Sequence, residues 1–107
     1  MVSAAPVQTR REVLDRLAGQ RAALRALGLR RLGLFGSFRH DRPHPDSDVD
    51  LLVEFEAGAT TLGNIMEVAE LLEAVLGRRV EIVPADALSP YIGPKILADA
   101  EDIPLAP

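Results

Sequence analysis

The chain has 107 residues, 48% of them hydrophobic and 26% charged, with a formal net charge of −4 and no cysteine. That length supports one compact domain and excludes separate catalytic and substrate domains, while zero cysteines exclude disulfides and thiolate metal sites and fit a reducing cytoplasm. The acidic balance argues against bulk binding to a nucleic-acid backbone, the lack of a long apolar run against a membrane span, and the opening MVSAAPVQTRR against a secretory signal.

Residues 1–8 lack periodicity and predict a flexible tail ahead of a single domain over 9–107. Thr9 with Glu12 three positions on is a capping box, predicting a helix to about Leu27 with Gly28 as its stop. Val13, Leu14, Leu17, Leu24 and Leu27 form its apolar stripe. A strand is expected over 31–35, with Gly36 turning the chain sharply out of it. The two prolines and two histidines of 39–47 mark a surface loop, and a second strand is expected over 49–55. Two histidines without an ordered third ligand do not make a zinc site, so His40 and His44 are read as loop residues.

Thr60 or Thr61 caps a helix to about Leu76, closed by Gly77, with Leu62, Ile65, Met66, Ala69, Leu72 and Leu76 on its buried stripe. In a third strand, over 79–83, Val80 and Ile82 share one face and Glu81 takes the other. Ser89-Pro90 signals a last helix, to about residue 100, and Pro94 predicts a late start for it. Residues 102–107 are an edge strand or a disordered tail. Basic residues crowd between Arg10 and Arg42. Most read as a solvated helix face, docking to an acidic partner being the alternative.

The chemistry lies in GSFRHDRPHPDSDVDLLVEF. Asp48 and Asp50 open an apolar strand and, at period two, point to the same face. Carboxylates so placed resist joint ionisation unless a cation sits between them, and oxygen ligands suit a hard ion such as magnesium. Gly36-Ser37, twelve residues before Asp48, offers backbone N–H groups and a hydroxyl to an anion.

This arrangement resembles the active-site signature of the DNA polymerase β-like nucleotidyltransferase superfamily, and within it the minimal nucleotidyltransferase (MNT) antitoxins that partner HEPN-domain toxins. The resemblance runs from RALGLRRLGLFGSF to VEIVPADALSPYIGPKIL. It implies an α/β (α+β) fold, a small mixed β-sheet with helices packed on one face. It also implies transfer of AMP from ATP to a hydroxyl of the toxin, with two magnesium ions held by Asp48, Asp50 and Glu81, the catalytic carboxylates. Gly36, Ser37 and Arg39 would bind the nucleotide's phosphates.

Three positions depart from the family pattern. Glu81 stands where aspartate is usual, His40 takes the usual arginine position, and Asp41 takes that of a glycine. These departures support an alternative in which the fold neutralises its toxin by occlusion alone. Another alternative has a small molecule or an RNA end as the acceptor.

Overall fold

The computed structural model describes residues 4–105. A four-stranded mixed sheet in the order β3-β2-β1-β4 forms the frame, its strands being β1 (Leu29–Phe35), β2 (Val49–Phe55), β3 (Val80–Pro84) and β4 (Glu101–Ile103). β2 runs antiparallel to β1 and parallel to β3, and β4 edges β1 antiparallel. The helices are α1 (Arg10–Ala18), α2 (Arg21–Ala26), α3 (Gly36–Arg39), α4 (Leu62–Leu76) and α5 (Gly93–Asp99).

Alternation along β2 builds the core. Val49, Leu51, Val53 and Phe55 are buried, as are Leu32 and Leu34 of β1, against Val13 and Leu17 of α1, Leu24 of α2 and Val68, Leu72 and Leu76 of α4. The intervening residues Asp50, Leu52 and Glu54 face the other way. That second face is the one left for chemistry. The short α5 reaches its rim, where a Cβ added to Gly33 would meet Ala100 Cβ at 3.2 Å.

Thr9 and Thr61 both cap as expected, accepting hydrogen bonds from Glu12 N–H and Asn64 N–H, each at 3.1 Å. Gly77 ends α4 at φ 67°. The helix expected from Thr9 to Leu27 is instead two, parted at Gly19-Gln20, where the Gly19 N–H turns back to Arg16 O. Glycine there lowers helix stability, and the break lets α1 pack on α4 while α2 packs on β1.

Of the expected tail, residues 1–3 lie outside the described residues, while 4–8 are tied down: Val7 is wholly buried and its N–H donates to Leu76 O at 2.9 Å. The α4 stripe is rotated from expectation, for Val68 is buried whereas Leu62 and Met66 are 74% and 54% exposed. Tyr91, just before α5, is 89% exposed. Residues 101–103 form β4, one residue earlier than the edge strand or tail expected over 102–107 and overlapping it at 102–103.

Candidate active site

Strand register sets one row across the sheet. Phe35 pairs with Asp50, and Asp50 with Glu81, so the end of β1 and the carboxylates of β2 and β3 lie side by side. Asp48, two residues before Asp50, belongs to the same face and is exposed.

Gly36 follows Phe35 directly and adopts φ 75°, a conformation that side chains disfavour. Space forbids a side chain as well, because a Cβ there would overlap Asp50 Oδ2. The glycine thus lets the backbone press against the carboxylate. α3 begins at once, anchored by the wholly buried Phe38, and Ser37 stands half-buried beside it.

Asp50 is half-buried, and its carboxyl is pushed up to about 6, first by burial, then by the Glu81 carboxyl within hydrogen-bonding reach and by the charges of Glu81 and Asp48. Among the described residues no basic side chain pairs with Asp48, Asp50 or Glu81. An all-oxygen, uncompensated cluster of this kind fits a hard divalent cation. Among the described residues no three acidic or histidine side chains converge closely enough to enclose one ion. Asp50 and Glu81 adjoin, and the charge of Asp48 acts on Asp50 as the smallest of these causes.

The loop after α3 explains how the unusual residues are accommodated. Asp41 takes the expected glycine's left-handed conformation, φ 53°, and its carboxylate accepts the Arg10 N–H at 2.9 Å, at the start of α1. Ser47, buried, accepts the His44 N–H at 2.9 Å and shapes the approach to β2.

Arg39, expected at the phosphates, donates from Nε to the Asp99 carbonyl at 3.1 Å and approaches Glu101 at 3.8 Å. It is His40 whose Nε2 meets the Asp99 carboxylate, at 2.6 Å, and the other oxygen of that carboxylate accepts the Gly36 N–H at 3.4 Å. Glu101 also pairs with Arg10, whose hydrogen bond holds the Glu101 carboxyl below its ordinary value.

Sequence reasoning missed Asp99 and Arg78. Asp99 follows Gly36 by 63 residues and belongs to no motif. Arg78 donates to Val7 O at 2.6 Å, Pro45 O at 2.9 Å and Ser47 O at 3.2 Å, and lies over the Phe38 ring, 5.2 Å from its centroid. It binds the N-terminal segment, the loop and α3 together. Its only signal was a basic pair after the glycine that ends α4. Beside it lies a cleft lined by Gln8, His44, Ser47, Arg79 and Asp48, which Asp50 and Glu81 do not line.

Residues 17–103 match the family model described as the nucleotidyltransferase domain. The protein adenylyltransferase MntA of Thermococcus cleftensis is 37% identical over 92 residues, 85% of this chain and 92% of its own. A solved structure assigned as a minimal nucleotidyltransferase superposes with a TM-score of 0.68 at 36% identity, over 82% of this chain and 93% of the other. A more distant structure, of tri-AMPylated Shewanella oneidensis HEPN toxin in complex with MNT antitoxin, has the same fold, with a TM-score of 0.63 at 18% identity over 89% and 71% of the two chains.

Proposed function

The chain belongs to the nucleotidyltransferase domain family, among its minimal nucleotidyltransferase antitoxins, and from that premise we propose a magnesium-dependent protein adenylyltransferase that moves AMP from ATP onto a hydroxyl of a cognate HEPN-domain toxin and so silences it. The observation that carries this reading is the row formed by the end of β1, Asp50 and Glu81, with Gly36 pressed against Asp50.

The acceptor hydroxyl attacks the α-phosphorus, forming a new P–O bond as the α–β phosphoanhydride bond breaks and pyrophosphate leaves. Glu81, exposed beside Asp50, takes the hydroxyl proton in this scheme. Asp50 and Glu81, which adjoin, together with Asp48 once its side chain turns toward them, are the residues that would hold magnesium, which when bound would offset the charge of the triphosphate and polarise the reacting phosphate. Gly36 N–H and Ser37 face the leaving phosphates. Placing a bulky anion on the toxin blocks its binding of RNA phosphate. The use of ATP and the absence of cysteine agree with a cytoplasmic setting, and no helix of the described residues is long and apolar enough to cross a membrane.

A second reading, neutralisation by occlusion, draws on the Glu81, His40 and Asp41 departures. Incubation with the toxin, magnesium and ATP, followed by intact mass measurement of the toxin, separates the two. An added AMP mass supports transfer. Unmodified toxin that is nonetheless inactive supports occlusion.

A further inference from the structure

Gly36 lies between two carboxylates. Asp50 fills the space on its side-chain side, and Asp99 stands before its N–H. The Asp99 carboxylate also takes the hydrogen bond of His40, the residue in the place where the resemblance expects a phosphate-binding arginine. The Gly36 N–H, which faces the leaving phosphates in the proposed reaction, and the neighbouring His40 ring are therefore both turned on one internal anion.

We propose that Asp99 is a resident counter-anion of the phosphate subsite, and that a nucleotide's terminal phosphates bind by taking its place on His40 and the Gly36 N–H. The inference rests on the nucleotidyltransferase reading. The backbone of Asp99 is fixed independently of its carboxylate. Arg39 holds its carbonyl at 3.1 Å, and the following residue, Ala100, donates its N–H back to Ile96 O at 2.9 Å. Displacement thus needs only a side-chain rotation, and the carboxylate is one-third exposed, so water receives it when it leaves.

The exchange is between anions of unequal strength. Asp99 brings one charge and two oxygens, whereas a triphosphate brings several charges and more acceptors, and charge-assisted hydrogen bonds strengthen accordingly. Asp99 accordingly sets a threshold that polyphosphates pass and weaker anions do not. Asp50, against the other side of Gly36, adds to the repulsion that a poorly charged ligand cannot offset.

The contrary role, in which Asp99 only orients His40, makes the opposite forecast for its neutral isostere. The test is calorimetric binding of ATP, of inorganic tripolyphosphate and of adenosine, in magnesium, to the full chain and its Asp99→Asn and His40→Ala variants. Asp99→Asn should bind ATP and tripolyphosphate roughly fivefold to tenfold tighter and leave adenosine unchanged. His40→Ala should weaken both polyphosphates. Equal or weaker polyphosphate binding by a folded Asp99→Asn variant, beside a wild type that binds ATP, overturns the counter-anion and leaves the nucleotidyltransferase reading intact. Wild-type protein that binds none of the three ligands overturns both.

Discussion

Gly36 carries two constraints that act independently, a left-handed backbone and the Asp50 carboxylate where a side chain would begin. Gly36→Ala therefore has no small adjustment open to it. It should cost about 2 kcal/mol or more in chemical denaturation, with nucleotide binding lost as Asp50 is pushed aside. Asp50 itself supplies a pH signature. Its carboxyl stands at about 6 in the folded chain against an ordinary 3.8, so the folded state holds the proton more tightly. The stabilisation is fully present below 3.8 and is lost as pH rises through about 6. After allowance for the solvent reaching this half-buried group, the loss amounts to roughly 1–2 kcal/mol. Metal-free protein should thus show a falling melting temperature between those pH values, and Asp50→Asn should flatten the curve. A wild-type profile unchanged over that interval would contradict the crowding of Asp50 by Glu81 and Asp48.

At the scale of elements, Arg78 joins three segments that share no secondary structure: the N-terminal segment around Val7, the loop before β2, and α3 through Phe38. Arg78→Ala should destabilise by about 2–3 kcal/mol, since several buried or half-buried carbonyls lose their donor together. Lysine should rescue it poorly, because a single ammonium cannot span the same fork. Val7→Ala should cost about 1–2 kcal/mol, measured by the same denaturation, whereas a loose tail would show no effect. The β-elements were legible because alternation at period two is a strict pattern, and Val49–Phe55 matches expectation at both ends. Helix limits were less so. The apolar spacing of α1 continues across Gly19 as though the helix did, and the α4 stripe names apolar positions without saying which way the helix is turned. Hence Met66 lies outside and Val68 inside. The site was legible where strand neighbours compose it, as with Gly36, Asp50 and Glu81. It was not where a distant residue enters, because only folding brings Asp99 to His40.

For the molecule as a whole, the described residues build one sheet with a helical layer on one face and a row of acids at one end of the other. The sheet offers a row of carboxylates with the Gly36 turn against it, and in the proposed reaction the acceptor hydroxyl comes from outside the chain. Assignment to the nucleotidyltransferase family agrees with this division of labour, and the exposed Leu62, Met66, Tyr91 and Leu97 leave apolar surface available for contact. Asp48→Asn and Asp50→Asn bear on the central claim, since each keeps the size of its side chain while removing a charge from the row. The most direct measurement is the intact mass of the cognate toxin after incubation with magnesium, ATP and either the wild-type chain or the Asp48→Asn/Asp50→Asn double variant. Added AMP with the wild type and none with the folded double variant is the expected result; the same added mass with both would contradict the carboxylate site.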